Sequence, residues 1–453
     1  MTYRQLLAGN ADFRRLWAGQ VVSEIGDWLN NIAVLALAIQ LAGAGSVGLA
    51  VATYAIARHL PLFIFGPVAG VVVDRVSRRR VMIAADVARA VLALGFLVAN
   101  RLGSLAAIYA VGASLFSVSA FFNAAKRASV PNLVGGTEAL LAANSLSAST
   151  TAATIAVGSA LGGVIATALG RDTVFVLNAL TFLASAEMIR RIRRPVSRGR
   201  EAPGVELAVP GDGVAAQTST PPPSSSLGVQ RSPLAAYFTD FREGLRYVRR
   251  DRVLAAVFVV AAGWGLGNGA ARALYSIFGA RLGEQAAAGW GAAFGPVAER
   301  PTDFGISVLF VAMGLGGVLG APLARRFNSG AVEGLGSRMG RSLVLDGAGL
   351  LVFSLTPSLF GAAAVLVARE MNFAIWWTAQ QTLMMRRTDD RVAGRVFASY
   401  ETLTTLMMVG SMLVSGAAAD RVGIRPVAAC AACVVILSGL SWFVLRRRGG
   451  EVR

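Results

Sequence analysis

The chain has 453 residues, of which 55% are hydrophobic and 15% are charged, and its mean hydropathy is +0.59. Soluble proteins carry about 25% charged residues and disordered chains have low hydrophobicity, so both classes are excluded. The net charge of +18 comes from arginine, since Lys126 is the only lysine. Such an excess is typical of nucleic-acid binding or of the cytoplasmic loops of a membrane protein.

Twelve apolar stretches follow one another along the chain, most of them long enough for the ~20 residues that cross a membrane. Six precede a polar segment and six follow it. Spans 1 to 12 are predicted at 17–42, 48–73, 81–100, 104–125, 139–168, 173–190, 253–281, 304–324, 342–356, 359–384, 396–419 and 426–445. The first apolar run is long and contains acids, so we expect no cleavable signal peptide.

The positive charges are distributed unevenly between the loops. Of the 43 lysine and arginine residues, 33 fall in segments on the side of both chain ends, six in the opposite loops and four inside spans. The positive-inside rule then predicts that both termini are cytoplasmic. We therefore expect a multi-pass protein surrounded by membrane lipids, with no nucleic-acid partner.

A polar segment at 191–252 separates an N-terminal half, 1–190, from a C-terminal half, 253–453. Seven of the fifteen prolines lie between Pro195 and Pro233. This composition cannot form a core and predicts a flexible cytoplasmic linker.

The end of this linker has the pattern of an amphipathic helix. Phe238, Phe241, Leu245 and Val248 fall on one helical face, and arginines occupy another. Such a helix lies on a membrane surface, and we expect it on the cytoplasmic side with a structural role.

A short motif recurs after spans 2 and 11. Gly70 to Arg79 reads GVVVDRVSRR, and Gly416 to Arg425 reads GAAADRVGIR. A weaker copy without the aspartate follows span 8. Because the first and last copies lie on opposite sides of the membrane, they indicate inverted three-helix repeats nested in two halves.

With this motif, the sequence resembles the major facilitator superfamily of secondary transporters over essentially its whole length. Segment 70–79 matches the superfamily's loop between its second and third helices, with Ser77 in place of the second glycine. Other segments resemble a branch that includes macrolide-efflux and enterobactin-exporter proteins. These are Phe13–Trp17, Ser23–Trp28, Pro61, Ala88–Ala90 and Gly394–Phe397.

The resemblance implies an all-α membrane protein with twelve transmembrane helices in two six-helix halves built from inverted three-helix repeats. It further implies alternating access and export of a small amphipathic molecule, such as a drug, an antibiotic or a siderophore, by proton-coupled antiport. The arginine-rich and alanine-rich composition suggests a bacterium, and hence its inner membrane. We expect a monomer with no cofactor other than the proton gradient.

Alternatives stay open. The substrate is a small molecule or is lipid-like, as in a lysophospholipid transporter of the same fold, and proton-coupled uptake is a further possibility. A membrane receptor or an enzyme is not expected, because the inverted motif copies argue against it and the sequence has no metal cluster and no nucleophile motif. Without a nucleotide-binding P-loop, ATP-driven export is not expected either. Cys430 and Cys433 lie in an apolar run, far from the single histidine, and are interpreted as packing residues.

Charged residues inside spans are the candidates for proton coupling and substrate binding, because an ionised group in a bilayer costs at least a few kcal/mol. Gln20, Glu24, Asp27 and Asn31 share one face of span 1, which predicts that they point inward. Asp27 lies near the middle of the span. It either exchanges a proton or is a permanently paired structural acid.

Span 10 carries Arg369 and Glu370, followed by Trp376 and Trp377. Adjacent residues on a helix point in different directions, so the two charges need partners on other helices. Glu370 with the tryptophans resembles a site for a cationic or amphipathic substrate. The alternative is a structural ion pair among core aromatics.

Other spans add four candidates. Arg272 in span 7 binds an anionic group or pairs with an acid of another span. Arg58 and His59 in span 2 form a deep polar pair, and histidine is the side chain that titrates near neutral pH, so His59 is either a proton carrier or a packing residue. Glu401 is an intramembrane acid in span 11 without an assigned partner.

The loop after span 2, which begins at Gly70, is interpreted as a gate. Asp74 favours a helix N-terminus, where free N–H groups attract an anion, and the resemblance implies the start of span 11. Arg75, Arg78 and Arg79 would then pair with cytoplasmic acids and hold one conformation. Ordinary positive-inside charge is the alternative.

Span 5 contains a glycine-rich segment. Gly158, Ser159, Gly162 and Gly163 fit the antiporter signature G-P-x-x-G-G, with the serine in place of proline. The superfamily's exporters use this helix as part of the gate. Glycines also permit close helix packing in any membrane protein, which is the alternative.

Overall fold

The computed structural model describes residues 2–43, 45–193, 233–290, 295, 299–328, 334–389 and 391–447. In these ranges all regular structure is helical. The helices are α1 (Tyr3–Gly9), α2 (Ala11–Leu41), α3 (Val47–Arg75), α4 (Arg78–Leu102), α5 (Leu105–Val134), α6 (Thr137–Leu169), α7 (Arg171–Arg190), α8 (Pro233–Val248), α9 (Arg252–Trp290), α10 (Pro301–Asn328), α11 (Leu335–Leu355), α12 (Leu359–Arg387), α13 (Ala393–Val422) and α14 (Ile424–Arg447).

Eleven helices in the described ranges are long and apolar enough to cross a membrane. The predicted span 9, 342–356, corresponds to α11, which begins earlier, at Leu335. Its 21 residues are enough for the ~30 Å hydrocarbon core. Every 18-residue stretch of α11 contains three charged residues, Arg338, Arg341 and Asp346. An ordinary membrane span has at most two charged residues in such a stretch. Of these three residues Asp346 is buried, so its charge requires a partner inside the protein.

Hydrogen bonds between neighbouring turns define two ends of the helix bundle. The outer end carries the turns at 42–46, 103–104, 170 and 423. The inner end carries those at 76–77, 135–136, 249–251 and 388–392. The charge distribution predicts that the inner end faces the cytoplasm.

Helices α2–α7 pack mainly with one another, and so do α9–α14. The two groups meet chiefly where α6 packs on α10 and α3 packs on α13. One buried apolar cluster crosses both groups, from Phe96 and Phe175 to Phe278 and Phe353. Towards the inner end each group instead has its own cluster, so the groups share a core at the outer end only.

The predicted amphipathic helix is present as α8, but it packs on protein. Glu243 pairs with Arg395 at 2.9 Å, and Ser399 Oγ donates to the carbonyl oxygen of Phe241 at 3.1 Å. A Cβ on Gly244 would lie 2.5 Å from the carbonyl oxygen of Arg395. These contacts hold α8 against the inner end of α13, which corrects the expectation of a helix that only covers the lipid surface.

The apolar face of α8 explains this docking. Leu245 and Val248 pack into the inner cluster of the second helix group. The side chain of Phe238 lies outside the described residues.

Candidate functional site

The carboxylate of Glu24, a predicted cavity residue, already has hydrogen-bond and ion-pair partners within the protein. Gln20 Nε2 donates to it at 2.8 Å and Thr154 Oγ1 at 3.1 Å, and Lys126 Nζ lies 3.7 Å from Oε1. The sequence analysis counted Lys126 as a loop charge, but α5 extends beyond it to Val134. The single lysine marks this position in the sequence, but nothing in the sequence identifies Glu24 as its partner.

Arg58 is held between helices of the first group. Its Nη1 donates to Asn31 Oδ1 at 2.5 Å. The guanidinium lies 5.1 Å from the ring centre of Trp28 and 4.9 Å from that of Phe116. Cation–π contact of this kind stabilises a desolvated arginine. His59 makes no hydrogen bond or ion pair with any residue that the structure describes.

Arg369 is a structural residue of the second group. Its Nη2 lies 2.9 Å from Asp346 Oδ2, its Nε donates to the Asp346 carbonyl oxygen at 3.2 Å, and its Nη1 donates to the Tyr275 hydroxyl. Both charged side chains are 4% exposed. This corrects the expectation that Arg369 faces the cavity, and its partner lies in the polar helix α11.

Replacing Asp346 with alanine should therefore strongly destabilise the protein, because it leaves a buried guanidinium unpaired. The expected cost is about 3–5 kcal/mol, measured as a fall in the thermal unfolding midpoint in detergent. Glu187→Gln is the control, because Glu187 forms exposed ion pairs with Arg190 and Arg191 that are worth about 0–1 kcal/mol. Equal shifts in the two variants would contradict this assignment.

Besides Glu401 on α13, the charged side chains Asp27, Arg272 and Glu370 lie inside spans and make no hydrogen bond or ion pair with the described part of the chain. The charge of Arg58 acts on Asp27, and the charge of Arg272 acts on Glu370. Each of the two acids is thus influenced by an arginine of its own helix group.

The contacts of α12 show which way Glu370 faces. Phe373 stacks on Trp264 of α9, Ala374 packs against Gly320 of α10, and Asn372 binds α11 on the far side. On a helical wheel Glu370 and Trp377 fall between the α9 and α10 contacts.

The two tryptophans of α12 differ in environment. Trp377 is 37% exposed, whereas Trp376 is 1% exposed and stacks on Trp264 at 4.7 Å. Trp376 is therefore a core residue, whereas Trp377 lies on the same side of α12 as Glu370, whose Cβ packs close to Gly316 of α10. Glu401 on α13 is exposed, and its carboxylate has no partner in the described ranges.

The predicted inner gate is not assembled in this conformation. Asp74 and Arg75 are exposed, and neither makes a hydrogen bond or ion pair with a described residue. A Cβ on Gly70, or on Gly394 at the start of α13, would meet no atom within 4 Å. The inner ends of α3 and α13 are therefore apart.

Arg78 and Arg79 bind backbone within the first group. Arg78 Nη1 donates to the carbonyl oxygen of Ala128 at 2.7 Å, and Arg79 donates to that of Arg190. They hold the start of α4 against α5 and α7, and the structure does not join them to Asp74.

The equivalent contact exists at the outer end, where the second copy of the motif supplies Asp420. Its Oδ1 accepts from the backbone N–H of Gly48 at 2.7 Å, and its Oδ2 accepts from that of Leu49 at 2.9 Å. The N-cap residue of α3, Ser46, makes no side-chain cap bond. A carboxylate of α13 thus caps α3, where dipole and free N–H groups favour it.

A second outer contact joins α7 and α6 to α10. Arg171 binds Asp303 through two hydrogen bonds of 3.0 and 2.8 Å. Arg300 Nη1 donates to the carbonyl oxygens of Ala166 and Thr167, at 2.6 and 3.2 Å, near the C-terminus of α6. We call the Asp420, Arg171–Asp303 and Arg300 contacts the outer lock. These contacts close the outer end, while the inner ends of α3 and α13 lie apart.

The glycines of α6 serve close packing on two sides. A Cβ on Gly158 would lie 2.6 Å from Trp28 Cβ, and one on Gly162 would lie 3.0 Å from Leu29 Cα. Gly163 abuts Ser307 of α10 across the boundary between the groups. The segment therefore joins α6 both to its own group and to the other.

Metal chemistry has no support in the described ranges, since no group of three or more His, Cys, Asp or Glu residues there could hold a metal ion. Cys430 and Cys433 are free and exposed.

Comparison with known proteins agrees with this architecture. The family model for the Major Facilitator Superfamily matches residues 16–411. The Bacillus subtilis protein named uncharacterized MFS-type transporter YfiS is 25% identical over 437 residues, which cover 94% of this chain and 91% of YfiS. The putative bacilysin exporter BacE of Bacillus subtilis is 25% identical over 370 residues, or 79% and 77% of the two chains.

Two solved structures share the fold. A bacterial homologue of the iron transporter ferroportin in an inward-facing state has a TM-score of 0.65 and 14% identity, covering 96% of this chain and 98% of its own. A mutant of nucleoside transporter NupG has a TM-score of 0.64 and 11% identity, covering 95% and 99%. None of these matches tests the narrower resemblance to macrolide and enterobactin exporters. The match of the family model over most of the sequence shows that the chain belongs to the Major Facilitator Superfamily.

Proposed function

We propose that this transporter exports a small amphipathic molecule from the cytoplasm in exchange for protons, by alternating access between residues 1–190 and 253–453. The observation that carries the proposal is a set of charges inside membrane spans that have no ion pair in the described ranges, among them Asp27, Arg272 and Glu370. An unpaired charge there needs water, a ligand or a proton. A proton-coupled exchanger exposes such charges to water and binds the substrate and the proton there alternately.

The separation of α3 and α13 at the inner end gives a direction to the proposal. If the inner end faces the cytoplasm, as the arginines predict, this conformation loads substrate from inside the cell. The name of the BacE relatives, putative bacilysin exporters, is consistent with export. Uptake and lipid transport are the competing functions.

The test is resistance to a panel of antibiotics and siderophores in a bacterium that lacks its own efflux pumps. Expression of the wild type should protect against at least one compound, and a proton uncoupler should remove the protection. Asp27→Asn and Glu370→Gln should also lose it, while Glu187→Gln, at an exposed ion pair, should keep it. No protection by wild-type protein verified in the membrane would overturn export and favour lipid transport or uptake.

A further inference from the structure

Helix α8 bridges the inner ends of α3 and α13, which lie apart. At the outer end these two helices touch backbone to backbone, since a Cβ on Gly48 would overlap the carbonyl oxygen of Gly416. At the inner end a Cβ on Gly70 or on Gly394 would meet no described atom within 4 Å. Helix α8 packs along α13 and also contacts α3, so it lies where the two helices have diverged.

Helix α8 is attached firmly to the second helix group. It leads into α9 through the turn at 249–251, where the carboxylate of Asp251 caps α9 by accepting from two backbone N–H groups, at 2.7 and 3.1 Å. The ion pair of Glu243 with Arg395 and the close approach of Gly244 fix it on α13. When α3 approaches α13 from the first group, it therefore meets α8.

The outer end shows what a closed contact between α3 and α13 requires. Asp420 accepts from the backbone N–H groups of Gly48 and Leu49, which are the second and third residues of α3. Gly416, four residues before the aspartate, lies against the backbone of Gly48. The carboxylate reaches the N–H groups because both glycines lack a side chain at the crossing point.

The sequence repeats this arrangement at the inner end. Asp74 lies four residues after Gly70, and the second and third residues of α13 are Gly394 and Arg395. If the inner end closes as the outer end does, Gly70 would lie against Gly394, and Asp74 would accept from the N–H groups at the start of α13. Gly244 of α8 already lies against the backbone of Arg395, so α8 obstructs this approach.

We propose that α8 is a wedge that holds the inner end open, and that the inner end closes only when α8 leaves the start of α13. This rests on the alternating access proposed above. The Glu243–Arg395 ion pair and the contact of Gly244 hold the wedge in place, and Asp74 competes with it for the same end of α13. The helix that precedes the second group thus sets the balance between the two conformations.

The test is the distance between spin labels at Arg127 and Met385 in purified full-length protein in detergent. These residues are exposed near the inner ends of α5 and α12, in opposite helix groups, and Cys430 and Cys433 would first be replaced with alanine. Gly244→Ala is the principal variant, because the added Cβ would lie 2.5 Å from a backbone oxygen of α13. It should raise the ratio of the shorter to the longer distance about 5- to 30-fold.

A second variant and two controls separate the wedge from general damage. Glu243→Gln breaks an exposed ion pair and should shift the same ratio in the same direction, by no more than about fivefold. Gly410→Ala is the matched glycine control, because Gly410 also lies on α13 but a Cβ there would meet no atom within 4 Å. Glu187→Gln is the ion-pair control. Both controls should leave the distance distribution unchanged.

Two further measurements test the competition with Asp74. Asp74→Asn, added to Gly244→Ala, should return the ratio towards the wild-type value, because an amide can accept fewer N–H groups than a carboxylate. The shorter inner distance of Gly244→Ala should also be accompanied by a longer distance between labels at Leu102 and Leu355 at the outer end. A helix α8 that was merely unfolded by the substitution would not open the opposite end.

Unchanged inner distances in Gly244→Ala and Glu243→Gln would overturn the wedge, and so would an equal shift in Gly410→Ala. If Asp420→Asn nevertheless opens the outer end, alternating access stands and only the wedge fails. If no variant changes either distance, Asp420→Asn included, the alternating access on which the wedge rests fails with it.

Discussion

Replacing Asp420 with asparagine should shift the protein from its closed outer end towards an open one. The carboxylate accepts two backbone N–H groups of α3, and an amide can keep only one of them. Hydrogen bonds to charged groups contribute about 1.5–3 kcal/mol each. One lost bond should therefore change the ratio of the two conformations roughly 10- to 100-fold.

The measurement is the distance between spin labels at Leu102 and Leu355, which end α4 and α11 at the outer end and are both highly exposed. The exposed Cys430 and Cys433 would first be replaced with alanine. Asp420→Asn should add or enlarge a population with a longer distance, and Asp303→Asn, which breaks the contact with Arg171, should act in the same direction.

Asp172→Asn is the matched control, because Asp172 lies at the same end and binds Asn100 within its own helix group. It should leave the distance distribution unchanged. If Asp172→Asn opens the outer end as much as Asp420→Asn does, the outer lock has no specific role.

The sequence alone predicted the membrane fold well, because lipid imposes one simple rule. A helix in hydrocarbon must satisfy its own backbone and present apolar side chains, so apolar runs predict helices directly. The rule failed at the start of α11, where Arg338 and Arg341 shortened the apolar run although the helix continues through them.

The ion pairs between side chains of different helices could not be predicted from the sequence in the same way. The partner of Arg369 is Asp346, 23 positions earlier in the sequence, and the partner of Glu24 is Lys126, on another helix. Such pairs depend on how helices face one another, which hydropathy does not encode. The sequence analysis assigned helix capping to Asp74, whereas the structure shows such a contact for Asp420, in the other copy of the motif.

That difference between the two copies has a physical reason. The copies lie at opposite ends of α3 and α13, so one rigid rocking motion cannot close both ends together. Glu243 of α8 already binds Arg395 near the start of α13, where the sequence analysis places Asp74. The Asp74 contact remains a prediction for the opposite conformation.

Neutralising Asp27 should uncouple transport from the proton gradient without weakening substrate binding. In inside-out vesicles, one proton moving down 100 mV supplies about 2.3 kcal/mol, enough for a roughly 50-fold accumulation of a neutral or zwitterionic substrate. Asp27→Asn should reduce accumulation of the compound found in the resistance panel to equilibration, while exchange of labelled for unlabelled compound continues. Glu370→Gln should instead weaken exchange at low concentration, because the sequence analysis predicts that Glu370 contacts the substrate. Accumulation that survives in Asp27→Asn would move the proton to another carboxylate, and unchanged pH dependence in both variants would exclude both.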